Sequence, residues 1–460
     1  MRPTNNMKIS LSDIADATGG ALKSGQGIFA SGVSTDSRKV DAGDVFFALK
    51  GPNFDGHAFV KDVLSKGASC VVVDNADCLV RLPAGSGAVV VEDTLKALGA
   101  LASHVRGLHR IPVVAITGSA GKTTTKEMAA AILSVSRNVL KTEGNKNNLI
   151  GVPLTLFRLT EAHEAAVVEL GISEDWEMER LVAMARPDVS VITNIGRGHL
   201  QTLGSLEGVA RAKGPIFSML GPHGIKAVNL DDPWVVKAAG KGGQAVTYSM
   251  KDKGADVFAE GSTDAGLAGA KAFYSVRGKK ITVKFASPGL TNVINGAAAI
   301  AATLPLGVPL EHMVEGLESW TPIKGRMGLI RSGGLTVLDD TYNANPESMG
   351  SALRTLKEAR GRKVAVLGDM LELGSASDTE HAGVGRLAAE LGVDVLVAIG
   401  SSSETTAEGA RKAGLKDVFS FGSKKNALEL LKRILHEGDT VLVKGSRGVA
   451  LEEVVEGLRK

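Results

Sequence analysis

The stretch PVVAITGSAGKTTTKEM contains residue types that bind a nucleotide phosphate, because Gly121, Lys122 and Thr123 form the end of a phosphate-binding loop. The usual pattern, G-x-x-x-x-G-K-[ST], would place its first glycine at Ile116, whereas the nearest glycine is Gly118. An apolar strand-like run precedes the loop and a helical run follows it. That order points backbone N–H groups at a phosphate, while the lysine neutralises phosphate oxygens and the threonine can reach Mg²⁺. The sequence therefore predicts a shortened nucleotide loop, with a tight structural turn as the alternative.

Other polar residues stand where apolar strands in the middle of the chain end. Glu169 ends AAVVE, Asn194 ends VSVITN, and Asp231 and Asp232 follow KAVNL. Ligands bind at the carboxyl rim of open parallel sheets, so polar residues at several strand ends of one sheet favour a site. The alternative is that strand ends are polar because they reach the surface. Glu169 could hold Mg²⁺ through carboxylate oxygen, or be an ordinary edge carboxylate.

Two further residues have ordinary interpretations when each is considered alone. His199 lies just beyond a strand end in NIGRGHLQTLGS, where a hydrogen-bonded structural histidine is more common than a metal ligand. Lys213 falls on a predicted helix in VARAKGPIF, which favours a solvated lysine. Nothing in the spacing of either residue indicates more.

The last third of the chain contains two polar strings that follow apolar strands. DDTYNANPESM is rich in Asx and Pro residues, which are ordinary turn formers. Its Asp340 is also suited to hydrogen-bond ribose hydroxyls. VLVKGSRG ends the last strand with Lys444, Ser446 and Arg447, which could form a turn or contact an anion.

Length and composition indicate a globular protein of several domains. A chain of 460 residues exceeds one ordinary core, so two or three domains are expected. The 53 Lys and Arg nearly balance the 50 Asp and Glu, and no basic run occurs, which gives no support for nucleic-acid binding. No apolar run reaches the length of a membrane span or a signal peptide. Two cysteines, Cys70 and Cys78, predict packing roles and a reducing cytoplasmic location.

The pattern of apolar and helical runs divides the chain into three α/β blocks. Residues 1–108 read as a small unit with a helix at SLSDIADATGG and strands at GDVFFALKG and ASCVVVDN. Residues 109–322 alternate strands and helices, which is typical of a parallel sheet, with strands at IPVVAIT, EAAVVEL, DVSVITN and IKAVNL. Residues 323–460 alternate again, with strands at LTVLDD, KVAVLGD, VDVLVAIG and DTVLVKG.

Taken together, these strings resemble the Mur ligase family, ATP-dependent enzymes that form amides in wall-precursor synthesis. TGSAGKTTTKE is similar to the shortened phosphate loop of that family. TEGNKNNLIGVP, DDTYNANPESM and VLGDMLELG followed by His381 resemble the member that adds D-alanyl-D-alanine. STDSRKVDAGDVFFALKGPNFDGHAF is similar to its UDP-binding domain. The resemblance implies a central phosphate-loop ATPase domain, flanked by a small N-terminal α/β UDP-binding domain and a C-terminal Rossmann-like α/β domain.

The resemblance also assigns roles to residues of this chain. It implies ATP contacts at Gly118, Ser119, Ala120, Gly121, Lys122, Thr123, Thr124, Asn295, Arg326 and Asp340. It implies two Mg²⁺ ions, held by Thr123, Glu169, His199 and Lys213, with Lys213 carbamylated by CO₂. Lys122, Glu169, His199 and Lys213 would be the catalytic set. The implied substrate contacts are Ser37, Arg38, Asp55, His57, Thr142, Asn145, Asn147, Asn148, Asn343, Asn345, Lys444, Ser446 and Arg447.

The implied reaction joins D-alanyl-D-alanine to UDP-MurNAc-tripeptide through an acyl phosphate, in a cytoplasmic enzyme expected to be a monomer that neither binds nucleic acid nor inserts into a membrane. The chain departs from the family pattern at Pro215 and Gln201, where glutamate is usual, at Thr291, where histidine is usual, and in the tail after Arg447. Two alternatives stay open. One is a sister ligase, either the preceding amino-acid-adding enzyme or a folylpolyglutamate-type synthetase. The other is a nucleotide-binding module without catalysis.

Overall fold

Three β-sheets in chain order organise the protein, together with two small two-stranded ribbons. The computed structural model describes residues 8–79, 82–264, 267 and 269–459. Each large sheet belongs to one of the three blocks expected from the sequence. The α/β class predicted from the alternating pattern is confirmed.

The first block is built on a five-stranded sheet in the order β2-β9-β8-β5-β4, in which only β2 is antiparallel to its neighbour. The predicted helix at SLSDIADATGG is confirmed: Ser10 caps its start, and Gly19, at φ 64°, ends it in the left-handed region. The elements are β1 (Ile9–Ser10), α1 (Leu11–Thr18), β2 (Ala21–Ser24), β3 (Phe29–Ala30), β4 (Gly32–Ser34), β5 (Asp44–Phe47), β6 (Lys50–Gly51), β7 (Phe54–Asp55), α2 (Val60–Ser65), β8 (Cys70–Val73), β9 (Gly87–Val90) and α3 (Thr94–Leu108).

The middle block is a nine-stranded sheet in the order β11-β12-β10-β13-β14-β15-β16-β17-β18. The first half contains β10 (Val113–Thr117), α4 (Lys122–Ser134), β11 (Val139–Lys141), α5 (Gly151–Leu156), β12 (Ala165–Glu169), α6 (Glu177–Ala185), β13 (Val189–Ile192), α7 (Leu200–Leu203) and α8 (Leu206–Lys213). The second half contains α9 (Pro215–Ser218), β14 (Ile225–Asn229), α10 (Pro233–Ala239), β15 (Gln244–Ser249), β16 (Val257–Asp264), β17 (Ala270–Val276), β18 (Lys279–Phe285), α11 (Leu290–Thr303) and α12 (Leu310–Ser319).

The third block is a six-stranded sheet in the order β19-β20-β24-β21-β22-β23, and only β19 runs antiparallel to its neighbour. Its elements are β19 (Gly328–Ser332), β20 (Leu335–Asp340), α13 (Pro346–Lys357), β21 (Lys363–Gly368), α14 (Ser377–Glu390), β22 (Val395–Ile399), α15 (Ser403–Lys412), β23 (Asp417–Phe421), α16 (Lys424–Ile434), β24 (Thr440–Lys444) and α17 (Glu452–Leu458). Among the described helices, none has both the length and the apolar character that crossing a membrane requires.

All the strands predicted from apolar strings are present, but the middle sheet is larger than the sequence pattern indicated. Strands β10 to β16 are parallel, as expected, whereas β17 and β18 extend the sheet as antiparallel strands. Helix α3, at the end of the first block, also contacts the middle block: Ser103 Oγ donates to the Ala183 carbonyl at 3.0 Å, and Arg106 Nε donates to the Ala185 carbonyl at 3.1 Å. This helix therefore joins the two blocks.

The phosphate loop follows β10, which lies inside the parallel part of the sheet between β12 and β13. The chain leaves β10 towards β11 and β12 on one side, then returns to β13 on the other side. This reversal of strand order opens a crevice at the carboxyl ends of the strands, where ligands bind in such sheets. The strand and the helix on either side of the loop pack on an apolar core, since Ile116 of β10 and Ile132 of α4 are fully buried in one hydrophobic cluster.

Helix α12 packs against the helix that follows the phosphate loop, with a glycine at the contact. A Cβ atom at Gly316 would lie 2.4 Å from Ile132 Cα and 2.6 Å from Ile132 N. Those are backbone atoms of α4, which cannot rotate away as a side chain could. The close approach of the two helices therefore depends on Gly316.

We predict that Gly316→Ala destabilises the protein by roughly 1–3 kcal/mol, because overpacking against α4 outweighs the better helix propensity of alanine. The measurement is the midpoint of thermal unfolding, which should fall by several degrees. Gly221→Ala is the control, since a Cβ there meets no atom within 4 Å and the backbone is open to any residue. Equal midpoints for the two variants would contradict the proposed helix contact.

Candidate active site

The phosphate loop has the strand–loop–helix geometry that the sequence predicted. Gly118 and Gly121 have φ angles of 147° and 80°, which side chains rarely adopt. A Cβ at Gly118 would lie 1.9 Å from Thr193 Oγ1, and one at Gly121 would lie 2.5 Å from Asn295 Oδ1. Ile116, where the longer loop would have a glycine, is instead a buried residue of β10. The shortened loop is thus complete, and both of its glycines are required.

Hydrogen bonds hold the loop and its lysine in place. Asn194 forms two hydrogen bonds with the Ala120 backbone: its Oδ1 accepts from the Ala120 amide at 2.9 Å, and its Nδ2 donates to the Ala120 carbonyl at 3.0 Å. Lys122 Nζ donates to the Gly118 carbonyl at 2.8 Å, so the side chain folds back over the loop. Burial lowers the pKa of Lys122, and the nearby Glu169 carboxylate acts in the opposite direction.

Glu169 is almost fully buried beside the loop, at 1% exposure. Parallel pairing of β10 and β12 sets Ile116 opposite Glu169, so this strand end meets the start of the loop. Its Oε2 accepts from Thr123 Oγ1 at 2.8 Å, and its Oε1 accepts from Asn147 Nδ2 at 2.8 Å. The hydroxyl of Thr123 and the carboxylate of Glu169 are hard oxygen ligands next to a phosphate loop, and this donor set fits Mg²⁺.

The segment at residues 142–148 reaches the same carboxylate. Thr142 is buried, and its Oγ1 accepts from the Glu169 amide at 3.0 Å. Asn148 Oδ1 accepts from the amide of Gly151, the first residue of α5, at 2.8 Å, and Asn145 and Asn148 are both exposed. The predicted substrate loop is therefore joined to the predicted metal ligand through Thr142 and Asn147.

Lys126 is a residue of this network that the sequence analysis missed. It is fully buried, and its Nζ donates to the Thr142 carbonyl at 2.7 Å. It also pairs with Glu127 at 2.7 Å. A lysine three positions after a phosphate-loop threonine has no distinctive spacing, so only the fold reveals that its side chain points inwards.

Lys213 is 1% exposed, so its interpretation as a solvated lysine is wrong. Burial, together with the charge of Lys122, lowers the pKa of Lys213 to about 7. Pro215 does not distort the helix that carries Lys213, because α8 ends at Lys213 and Pro215 begins α9. Proline suits the first position of a helix, where its missing N–H has no helical partner to lose.

His199 faces the third block rather than Glu169. Its backbone is left-handed, at φ 58°, and its Nδ1 lies 2.6 Å from Glu372 Oε2. The hydrogen bond from His199 lowers the pKa of Glu372. Gln201 adds a second link, since its amide donates to the Glu372 carbonyl at 3.1 Å. Within the described residues, His199 makes no hydrogen bond to Thr123, Glu169 or Lys213.

A cavity of about 240 Å³ lies between the phosphate loop and the third block. The Asp340 carboxylate pairs with Lys444 Nζ at 2.6 Å, and the Arg326 guanidinium lies 4.0 Å from the centre of the Tyr342 ring. The predicted ATP contacts that line this cavity are residues 119–124, Asn295, Arg326 and Asp340. Three predicted substrate contacts, Asn343, Asn345 and Lys444, line the same cavity. The structure thus brings the two groups together.

Other predicted substrate contacts lie outside this cavity or are bonded within the protein. Ser446 is buried, and its Oγ accepts from the Leu371 amide at 2.9 Å; Arg447 is exposed and pairs with Glu452 at 3.0 Å. These contacts favour a turn rather than an anion site for Ser446 and Arg447 in the string VLVKGSRG. In the first block, the Ser37 carbonyl accepts from Lys66, Arg38 pairs with Asp36 at 2.8 Å, and His57 Nδ1 lies 2.6 Å from Asp55 Oδ1.

One hydrogen bond connects the third block directly to the phosphate loop. Asn345 caps α13 by accepting from the Ser348 amide, and Ser348 returns a bond to the Asn345 backbone. The nitrogen of the Asn345 side chain, Nδ2, donates to the Ser119 carbonyl at 3.1 Å. The sequence pattern predicts a turn or a ribose contact for the string DDTYNANPESM, and it predicts neither the cap nor the bond to the loop.

The fold and the cavity define a phosphate-loop nucleotide-binding protein in which a second α/β block forms the opposite wall of the site. Family models match all three blocks: "Mur ligase family, catalytic domain" at residues 30–106, "Mur ligase middle domain" at 116–303, and "Mur ligase, glutamate ligase domain" at 325–447. The chain belongs to the Mur ligase family.

Individual relatives agree with this assignment. A protein of Escherichia coli strain K12 named UDP-N-acetylmuramoyl-tripeptide–D-alanyl-D-alanine ligase is 37% identical over 460 residues, which cover 99% of each chain. The crystal structure of MurF from Acinetobacter baumannii superimposes with a TM-score of 0.91 at 35% identity, over 99% of each chain. MurF from Thermotoga maritima in complex with ADP has a TM-score of 0.82 at 28% identity, over 93% of this chain and 96% of its own.

We predict that Asn345→Ser weakens ATP binding but leaves stability nearly unchanged, because serine keeps the helix cap and loses only the donor to the Ser119 carbonyl. One neutral hydrogen bond is worth about 1 kcal/mol, so the KM for ATP should rise roughly fivefold. Asn345→Ala is the matched comparison and should also lose about 1 kcal/mol of stability with the cap. An unchanged KM for ATP in Asn345→Ser would show that the bond to the loop has no role in binding.

Proposed function

We propose that this protein is an ATP-dependent ligase that joins D-alanyl-D-alanine to UDP-MurNAc-tripeptide, giving UDP-MurNAc-pentapeptide, ADP and phosphate. The observation that carries the proposal is a cavity in which Lys122 and Thr123 face Arg326 and Asp340 of the third block, with Thr123 hydrogen-bonded to the Glu169 carboxylate. The names of the relatives from Escherichia coli and Acinetobacter baumannii support the choice of substrates.

ATP would lie between the two blocks, with its phosphates on the glycine loop. Lys122 and the N-terminus of α4 would offset the phosphate charge, with Arg326 adding a second cation from the opposite wall. Asn295, which touches the loop at Gly121, would contact the adenine. Asp340, held by Lys444, would accept hydrogen bonds from the ribose hydroxyls.

Thr123 and Glu169 would hold Mg²⁺, and Lys213 would join them as a carbamate, with His199 completing the set once it leaves Glu372. When bound, Mg²⁺ polarises phosphate oxygens and neutralises charge between anionic reactants. A buried lysine with a lowered pKa has a neutral fraction at neutral pH. Its Nζ can therefore attack the carbon of CO₂, forming an N–C bond and releasing one proton. The product is an oxygen ligand where an ammonium would repel the metal.

Lys122 and Arg326, on the two walls of the cavity, would hold two anionic reactants next to each other. A carboxylate oxygen of the tripeptide attacks the γ-phosphorus, the bond to ADP breaks, and an acyl phosphate forms. The neutral amine of D-alanyl-D-alanine then attacks the acyl carbon, the carbon–oxygen bond to the phosphate breaks, and phosphate leaves with the original carboxylate oxygen while the nitrogen releases one proton. The third block covers the cavity through Asn345, which limits the access of water to the acyl phosphate.

The uridine nucleotide would be bound by the first block through Ser37, Arg38, Asp55 and His57, and the muramoyl peptide by the segment around Asn147. The chain would be divided into domains at residues 1–108, 109–322 and 323–460. The enzyme would act as a cytoplasmic monomer.

We predict that ADP release requires all three of ATP, UDP-MurNAc-tripeptide and D-alanyl-D-alanine, and that Lys122→Ala lowers it at least about 1000-fold, since the phosphate charge then lacks its nearest cation. A coupled ADP assay with each substrate omitted in turn is the measurement. ADP release with a free diamino acid in place of D-alanyl-D-alanine would instead identify the preceding amino-acid-adding enzyme. ATP binding with no ADP release in the full mixture would contradict the proposal in favour of a non-catalytic module.

We predict that Lys213→Ala loses most activity and regains part of it when a short-chain carboxylate is added, because the added carboxylate can occupy the space of the carbamate. The measurement is ADP release against carboxylate concentration, with Lys126→Ala as a control. Lys126 is equally buried but lies outside the proposed metal set, so its variant should not be rescued. Unchanged activity in Lys213→Ala would rule out the carbamate role.

A further inference from the structure

Arg326 is a half-buried cation for which the chain provides no carboxylate partner. Among the residues that the structure describes, none forms an ion pair or a side-chain hydrogen bond with it, and its Nε is buried without a partner. Asp340, on the same wall of the cavity, is already occupied, because Oδ2 accepts from Lys444 Nζ at 2.6 Å and Oδ1 accepts from the Met327 amide at 3.2 Å. The N–H donors of Arg326 are therefore not consumed by a carboxylate.

The ring of Tyr342 holds the guanidinium instead. Arg326 Cζ lies over this ring, 4.0 Å from its centroid, which is well within the reach of a cation–π contact. A guanidinium is planar and carries its N–H groups in its plane, so a contact on its face leaves those donors free. A carboxylate partner would occupy two of them. The stack thus fixes the position of the cation and keeps its donors available to a ligand.

Backbone contacts set the two side chains against each other. The Tyr342 amide donates to the carbonyl of Gly325, the residue before Arg326, at 2.9 Å. The Gly325 amide in turn donates to Asp339 Oδ2, near the end of β20, at 3.2 Å. Gly325 has φ 77°, and a Cβ there would lie 3.2 Å from the Tyr342 nitrogen. The turn that carries Arg326 is therefore held against the end of β20, where Tyr342 follows.

The stacked pair lies where the terminal phosphate of ATP is expected, and this step rests on the proposed function. Arg326 and Tyr342 both line the nucleotide cavity opposite the phosphate loop. Burial lowers the pKa of Lys122, Glu169 acts in the opposite direction, and the charge of Arg326 lowers it further. The lysine of a phosphate loop contacts the β- and γ-phosphates. A cation close enough to affect that lysine is also close to the γ-phosphate.

We propose that Tyr342 is the positioning residue for Arg326, holding the guanidinium by its face so that the N–H groups in its plane are directed at the γ-phosphate of ATP. Tyr342 acts through Arg326 and does not contact the nucleotide itself. Its ring carries the role, and its hydroxyl does not. The stack consequently favours ATP over the product ADP, since only ATP has a γ-phosphate.

The test measures the binding of two nucleotides by calorimetry, with Mg²⁺ present: ADP, and an ATP analogue with a methylene group between its β- and γ-phosphorus atoms. Tyr342→Leu should raise the Kd of the analogue roughly 3- to 10-fold, because the arginine must then be ordered when the ligand binds. Its Kd for ADP should stay unchanged, which also shows that the variant is folded. Tyr342→Phe keeps the ring and should bind both nucleotides as the wild type does.

A double variant tests whether Tyr342 acts through Arg326. Arg326→Ala should weaken binding of the analogue and leave ADP binding unchanged. Adding Tyr342→Leu to Arg326→Ala should then cause no further loss, since the ring has no guanidinium left to position.

Several results would overturn the assignment. Equal losses of ADP and analogue binding in Tyr342→Leu would mean that the ring contacts the nucleotide itself. Unchanged binding of the analogue in that variant, a loss in Tyr342→Phe, or a further loss in the double variant would also remove the role. The wild-type protein separates the two levels of the account. If it binds both nucleotides, these results remove only the role of Tyr342, whereas binding of neither contradicts the proposed function itself.

Discussion

The site depends on one buried carboxylate, that of Glu169, and on the hydrogen bonds that make its burial tolerable. A carboxylate at 1% exposure is costly unless its oxygens are bonded or paired with a cation. Thr123 and Asn147 each donate to one oxygen, so the residue after the phosphate-loop lysine and the segment from 142 to 148 are held to the same strand end. Parallel pairing of β10 and β12 makes this possible, because it brings the strand end and the loop to one edge of the sheet.

The nucleotide site also needs a wall opposite the phosphate loop, and the six-stranded sheet of the third block carries that wall. The third block reaches the loop through Asn345 and Glu347 at the start of α13, and reaches residues 199–201 through Glu372. These contacts are polar, as is the hydrogen bond between the Thr291 and Ser351 hydroxyls, and both of those residues line the cavity. Such an interface can separate to admit substrates and close again, as expected of enzymes that must exclude water from a reactive intermediate.

Local patterns in the sequence were sufficient for the parts of the fold that depend on local chemistry. The phosphate loop could be predicted because strand, glycines, lysine and helix are contiguous, and the apolar strings gave the parallel strands. The burial of Lys213 and Lys126 could not be predicted, because it depends on which helix face meets the sheet. The bond from Asn345 to Ser119 joins residues 226 positions apart, so no local pattern contains it. The antiparallel strands β17 and β18 also gave no clear signal beside the stronger parallel pattern.

We propose that ATP activates the carboxylate of the tripeptide as an acyl phosphate before the amine attacks. Isotope transfer tests it most directly: UDP-MurNAc-tripeptide carrying ¹⁸O in its terminal carboxylate is turned over with ATP and D-alanyl-D-alanine, and the released phosphate is analysed by mass spectrometry. If the acyl phosphate forms, each phosphate carries one ¹⁸O atom, transferred from the carboxylate when the acyl phosphate breaks down. Phosphate without ¹⁸O would mean that water cleaves ATP and that no acyl phosphate forms.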